Sequence, residues 1–260
     1  MKNKDSNNLE KLVSIIRKLR APDGCPWDRE QTSKSLLPYL IEEAYEVVEA
    51  VELDNFESLK EELGDLLLHV IFQAELASDK KEFSLSDAIE SVSQKLIRRH
   101  PDIFSKNKSS AAIENINWEM QKRKEQKRDH LLDGVPINLP ALIRSQRLQE
   151  KAASVGFDWE DIEDVIDKVE EEIGELRNAI KSKSKIDIKE EAGDLFFSLV
   201  NFCRHLEVDS ESIVRQANRK FESRFNEIEN ILKKKGQSLE SSSLSELELL
   251  WNEVKKSKFD

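Results

Sequence analysis

The sequence predicts an all-α protein built from one helical plan used twice, and three observations carry that prediction. Apolar residues recur at helical spacing, as in Leu9, Leu12, Val13, Ile16 and Leu19. Gly and Pro number only seven and six in 260 residues, few for a chain of many short strands and turns. No segment alternates apolar and polar residues over strand length with the required β-branched content.

In chain order, the first helix is predicted over roughly residues 8–20 and stops at the Pro/Gly turn APDGCPWD. SLLPYLIEEAYEVVEAVEL follows, a helix with a Ser start and an acidic first half. A break at Asp54-Asn55 precedes the helix FESLKEELGDLLLHVIFQAEL. The fourth, SLSDAIESVSQKLIRR, ends before His100-Pro101, because a residue before proline disfavours helix. Residues 105–113 read as a loop, and Trp118 opens the basic helix WEMQKRKEQKR. LLDGVPINLP, residues 131–140, reads as a linker between an N-terminal repeat, 1–130, and a C-terminal repeat, 141–260. The second repeat is predicted as helices near 141–153, 161–180, 187–206 and 210–233, with a GFDW turn before the second and a KSKSK break after it. A Ser-rich stretch and Trp251 end the chain.

Composition excludes several classes. A net charge of −11 argues against a nucleic acid polymer or an anionic membrane as partner. An acidic protein that handles a polyanion needs cations in between. No window approaches the ~18 apolar residues of a membrane span, and MKNKDSNNLEKL has no apolar signal core. Cys25 and Cys203 are too few for a disulfide framework or a zinc site, which fits a reducing, cytoplasmic setting.

The repeat concentrates carboxylates. Glu43 and Glu46, then Glu62 and Asp65, are pairs with a three-residue step, and so are Glu172 and Glu175, then Glu191 and Asp194. That step puts both members of a pair on one helix face. At an offset of 129 without gaps, Glu42, Glu43 and Glu46 meet Glu171, Glu172 and Glu175, while Lys60, Glu61, Glu62, Gly64 and Asp65 meet Lys189, Glu190, Glu191, Gly193 and Asp194. Further on, Lys95 and Arg99 meet Lys220 and Arg224.

In the helix 161–180, Lys168, Glu172 and Glu175 flank an apolar stripe running from Ile162 to Ile180; in the helix 187–206, Leu195, Leu199, Phe202 and Leu206 mark the stripe, and Glu191, Asp194 and Asn201 share a flank. Packed stripe to stripe, the acidic flanks meet at a seam. Carboxylates gathered there repel unless protonated or bridged by cations. An all-oxygen set selects a hard ion, Mg2+, with positions left for substrate phosphate. The plain alternative is a solvated acidic face. Gly64 and Gly193 lie mid-helix, where Gly costs about 1 kcal/mol against Ala; close helix approach at the site would justify them, and ordinary tight packing is the alternative. Lys220 and Arg224, one turn apart, suit a polyphosphate or form an ordinary basic face, and Trp251 suits a base or a core.

With these residues in view, the chain resembles the MazG family of nucleoside triphosphate pyrophosphohydrolases, in the two-repeat form and over close to its full length. The motifs are GCPWDREQT, YLIEEAYEVVEA, EELGDLLLHVIF, KLIRRHP, LLDGVP, QEKAASVGFDW, EEAGDLFFSLVN and ANRKFESRF. The resemblance implies two tandem MazG-like repeats, each a small four-helix unit, packed into bundles on dimerisation as a homodimer. It implies Mg2+-dependent hydrolysis of an NTP or dNTP to the monophosphate and pyrophosphate, with water attacking the α-phosphorus. By motif position Glu172, Glu175, Glu191 and Asp194 resemble the catalytic Mg2+ ligands, with Glu43, Glu46, Glu62 and Asp65 as first-repeat counterparts. Lys168, Glu171, Glu172, Lys189, Glu190, Asp194, Lys220, Arg224 and Trp251 resemble nucleotide contacts.

The second repeat is expected to be the working one. It has Lys168 and Asn201 where the first has Tyr39 and Phe72, so the first lacks two phosphate- or sugar-directed groups. His69, one turn after Asp65, is either a further ligand or a packed or solvated side chain. Two other classes remain for comparison. A di-iron bundle needs Glu-x-x-His motifs on facing helices, and these helices contain none. A non-catalytic helical regulator that binds nucleotides or a protein partner is separated from an enzyme by Mg2+-dependent pyrophosphate release from a purified sample.

Overall fold

A computed structural model of the chain describes residues 2–104 and 129–257. The helices are α1 (Lys2–Leu19), α2 (Pro26–Glu30), α3 (Leu37–Glu52), α4 (Phe56–Asp79), α5 (Leu85–Arg99), α6 (Pro101–Phe104), α7 (Ala141–Ala153), α8 (Ile162–Ser182), α9 (Lys185–His205), α10 (Ser210–Lys234) and α11 (Leu244–Ser257), with a 3-10 turn at Leu239–Ser241. No strand occurs among the described residues. The chain divides into two compact units, Met1–Ala111 and Ala112–Asp260. The predicted loop 105–113 and the basic helix from Trp118 lie outside the described residues.

In the first unit α1 and α3 pack on α4, and α4 packs on α5. Ile16, Leu36, Ile71, Phe72 and Leu76 form the buried centre, with Leu9, Leu12, Val13, Leu68 and Leu85 around it. Each such side chain contributes about 1.5–3 kcal/mol on burial. The rim is polar: Arg17 makes a two-pronged pair with Glu75 at 2.8 Å per bond, and Arg20 reaches Asp79 at 2.6 Å. Helix boundaries follow local chemistry. Asn55 caps α4 by accepting from the Ser58 N–H at 3.2 Å, and Ser84 and Asp87 form a capping box at the start of α5. The turn after α1 depends on Gly24: a Cβ there would stand 2.2 Å from the Leu19 carbonyl oxygen. That space lets the Cys25 N–H reach the same oxygen at 2.8 Å.

The second unit repeats the plan with α7, α8, α9 and α10 and adds α11. α8 packs along α9, α7 touches α9 and α10, and α10 packs on α11. Ile228, Leu232, Leu250 and Val254 fill the α10–α11 contact. Residues 131–140 run as turns, and Lys151 donates to the Leu131 carbonyl at 3.3 Å.

The structure differs from the sequence reading in four places. α1 begins at Lys2 and α11 is a full helix, where the apolar spacing predicts a later start and leaves the end unassigned. α11 is short, follows a Ser-rich stretch, and is started by the Ser243 N–H donating to Glu246 at 2.8 Å. The stripe expected on α9 is not its buried face: Leu199 and Leu206 are exposed, while Ser198, Val200 and Asn201 are buried. Gly64 and Gly193 do not mark a close approach among the described residues of this chain, because a Cβ on either meets nothing there within 4 Å.

Candidate active site

α8 and α9 form a helical hairpin. α8 opens with Glu163 and Asp164 in its first turn, where carboxylates favour the helix dipole. It ends at Lys183, which takes a left-handed φ of 58°. Ser184 then caps α9 by accepting from the Asp187 N–H at 3.3 Å. So short a connection makes the two helices antiparallel neighbours and brings their acidic flanks to one seam.

Glu172, Glu175 and Glu191 each place a carboxylate oxygen within 4.8 Å of the others. Glu172 is buried, Glu191 half-buried and Glu175 exposed. Asp194 is exposed and stands outside this trio, yet its charge acts on Glu191. The Glu191 carboxyl is pushed above its ordinary value, by burial first and then by repulsion from Glu175, Glu172, Asp194 and Glu190. Lys168 answers part of this charge: its Nζ lies 2.8 Å from Glu172 Oε1 and 2.9 Å from Glu171 Oε1. Those bonds raise its pKa, the one to Glu172 most. The second oxygen of Glu172, Oε2, is buried and has no hydrogen-bond partner. A buried, unpartnered carboxylate oxygen is costly unless something positive meets it. The donor set is all oxygen, so these residues fit a hard divalent cation.

The first repeat forms the same trio from Glu43, Glu46 and Glu62, again within 4.8 Å of one another. Glu43 is pushed up to about 7, by burial foremost and then by Asp65, Glu46 and Glu62. In place of Lys168 stands Tyr39, which stacks on His69 at 6.4 Å and meets Trp27 edge-on at 6.1 Å. His69 is buried against Tyr39 and is not among the groups that converge as a metal-holding set. Burial holds its pKa down, against an opposing effect of Asp65.

The remaining predicted residues are placed as follows. Lys189 and Glu190 are exposed near the start of α9, and Glu171 is exposed on Lys168. Lys220 is exposed on α10. Arg224 lies over the Trp251 ring at 5.7 Å, and Phe221 touches that ring at 5.2 Å. Trp251 thus packs against the α10–α11 core and carries a cation on its face.

One polar group escaped the sequence reading. Arg204 donates to Asn201 and to Asp158, and His205 Nε2 lies 3.0 Å from the same Asp158 oxygen. Burial pushes the Asp158 carboxyl up, but the bonds from Arg204 and His205 outweigh it and leave its pKa lowered. The Asn201 flank position is visible in the helical spacing. The Asp158 partner, 46 residues from Arg204, leaves no local signal.

A two-repeat, all-helical protein with a carboxylate-lined hairpin in each repeat is the class that this fold and site define. The chain belongs to the MazG nucleotide pyrophosphohydrolase family: that domain's sequence model matches residues 31–104 and 160–228, which contain both hairpins. Among similar proteins, one from Thermotoga maritima named nucleoside triphosphate pyrophosphohydrolase/pyrophosphatase MazG is 45% identical over 249 residues, 95% of each chain. The Escherichia coli protein named nucleoside triphosphate pyrophosphohydrolase is 41% identical over 263 residues, 98% of this chain and 99% of its own. An uncharacterized protein of Bacillus subtilis, YabN, is 42% identical over 93% of this chain and 50% of its own length.

Proposed function

We propose that this protein is a nucleoside triphosphate pyrophosphohydrolase that splits an NTP or dNTP into the monophosphate and pyrophosphate with Mg2+ as cofactor. The observation that carries the reading is the convergence of Glu172, Glu175 and Glu191, together with the buried, unpartnered Glu172 Oε2. It is supported by the activity for which relatives that align with nearly the whole chain are named.

In this reading Glu172, Glu175, Glu191 and Asp194 would hold the cation. Bound there, Mg2+ supplies Lewis acidity: it polarises phosphate oxygens and lowers the pKa of coordinated water. The chain's own residues do the rest. Lys168 fixes the Glu172 carboxylate and sets a positive charge beside it. The protein's cations neutralise charge that develops on the departing pyrophosphate, with Lys189, Lys220 and Arg224 assigned to that role by motif. Glu171 and Glu190 edge the site, and Trp251 offers the base a flat face. The first repeat keeps the carboxylate trio but has Tyr39 and Phe72 in place of Lys168 and Asn201, so it is a weaker, a regulatory or a mainly structural site.

The protein acts as a homodimer in this account. Ile180, Ile186, Phe196, Phe197, Leu199 and Leu206 are exposed on the α8–α9 hairpin of the single chain, an apolar surface that a second copy would cover. No helix among the described residues is long and apolar enough to cross a membrane.

The test is a panel of NTPs and dNTPs incubated with the purified protein, scored for pyrophosphate against orthophosphate. Equal amounts of monophosphate and pyrophosphate, dependent on Mg2+ and stopped by chelation, are expected. Orthophosphate as the product refutes the bond assignment, and nucleotide binding without turnover refutes catalysis.

A further inference from the structure

The second repeat carries a polar chain, rooted in a buried amide, where the first has a buried phenyl ring. Asn201 is 6% exposed, and its Oδ1 accepts from Arg204 Nε at 3.0 Å and from Arg204 Nη2 at 2.7 Å. A guanidinium offers only donors, so the atom that faces it must be the amide oxygen. The amide NH2 is thereby turned the other way, with its donors free for another acceptor. Arg204 is itself held in place: Nη2 also donates to Asp158 Oδ1, from the turn before α8.

The helical plan does not require this chain of bonds. At the matching positions of the first repeat, Phe72 replaces Asn201 and Glu75 replaces Arg204. Phe72 belongs to the apolar core with Arg20 over its ring at 5.3 Å, and Glu75 pairs with Arg17. The same helices therefore pack well with a hydrocarbon where Asn201 stands. A buried amide held by a half-buried arginine, in place of a hydrocarbon, is costly to build, which points to a use beyond packing. Asn201 also shares a face with Asp194, seven residues along α9. At 1.5 Å per residue the separation is about 10 Å, on the scale of the distance from a nucleotide's phosphate chain to its nucleoside end.

We propose that Asn201 recognises the nucleoside part of the substrate by donating its amide N–H to an oxygen or ring nitrogen of the sugar or base. Arg204, anchored by Asp158, is a positioning residue that fixes which way the amide faces. The inference rests on the triphosphate reading above and deepens it: phosphates are held at the carboxylate end of the seam, and identity is read two turns further along α9.

The experiment is calorimetric binding, in Mg2+, of non-hydrolysable α,β-methylene analogues of ATP, dATP and UTP, with inorganic tripolyphosphate as a probe that lacks a nucleoside. Three variants are compared with the natural protein. Asn201→Asp keeps the volume and the acceptor for Arg204 but removes the N–H donors. Arg204→Met frees the amide to rotate, and the third variant combines the two. Loss of one hydrogen bond predicts roughly fivefold to tenfold weaker binding of the nucleotide analogues to Asn201→Asp. A smaller loss is expected for Arg204→Met, and the double variant should be no worse than Asn201→Asp alone. Tripolyphosphate should bind all four proteins alike. A deficit that vanishes with the deoxy analogue places the acceptor on the sugar, and one that changes with the base places it there. Unchanged nucleotide affinity in Asn201→Asp, an equal loss for tripolyphosphate, or additive losses overturn the inference. If the natural protein binds no analogue at all, the triphosphate reading itself fails, and this inference falls with it.

Discussion

Replacing Glu172 by Gln isolates the site from the fold. Gln keeps the shape, so α8 and its packing persist; what is removed is one negative charge from the trio with Glu175 and Glu191. Two opposing effects act on stability. The ion pair with Lys168 at 2.8 Å weakens, and repulsion from Glu175 and Glu191 is relieved. Lys168 is a third exposed, so water screens its pair, and the two effects nearly cancel: a change within about 1 kcal/mol is expected. Function responds differently. At an effective dielectric of ~20, unit charges about 4 Å apart interact by about 4 kcal/mol, and the attraction of a carboxylate for a divalent ion is larger. Even if the neutral amide oxygen recovers part of this, turnover should fall by at least about 10²–10³-fold, since each 1.36 kcal/mol is tenfold. Phosphorus NMR of the products, alongside circular dichroism and melting curves, reads both effects. Full turnover with an unchanged melting temperature refutes the site assignment.

Other outcomes follow from particular residues. Glu43→Gln should reduce turnover by only a few-fold, and a loss as deep as that of Glu172→Gln reverses the ranking of the repeats. In divalent-free buffer Glu43, pushed up to about 7 in the folded state, binds its proton more tightly folded than unfolded. Its contribution to stability is therefore present at acid pH and declines as pH rises from roughly 4.3 to about 7. Melting temperatures measured in chelator across that window should fall more steeply for the natural protein than for Glu43→Gln, and parallel profiles contradict the assignment. Gly24→Ala forces a Cβ to within 2.2 Å of the Leu19 carbonyl and should cost about 1–3 kcal/mol, read in a urea titration. Phe196→Asp charges the exposed face of α9; light scattering should show the mass drop from two chains to one, and a dimer that persists places the interface elsewhere.

The fold was largely legible because helical period and capping chemistry are local. Ser84 followed by Asp87, and the Asp54-Asn55 break, fix the ends of helices within a few residues of the signal. The carboxylate trios were legible because a three-residue step and a repeat offset survive in one dimension. What failed was inference about facing surfaces. Leu199 and Leu206 look like a buried stripe by spacing, but no element among the described residues of the single chain covers them. Gly64 and Gly193 look like contact points and meet open space. The Asp158–Arg204–Asn201 chain depends on a turn and a helix meeting in space, which no periodicity encodes.

Electron paramagnetic resonance of Mn2+ as a stand-in for Mg2+ tests the seam most directly. The natural protein should take up the ion at two classes of site, and Glu172→Gln should remove one class while Glu43→Gln removes the other. Adding a non-hydrolysable triphosphate should perturb the signal that depends on Glu172. Mn2+ uptake indifferent to both substitutions would mean that the converging carboxylates do not hold the cation on which catalysis depends.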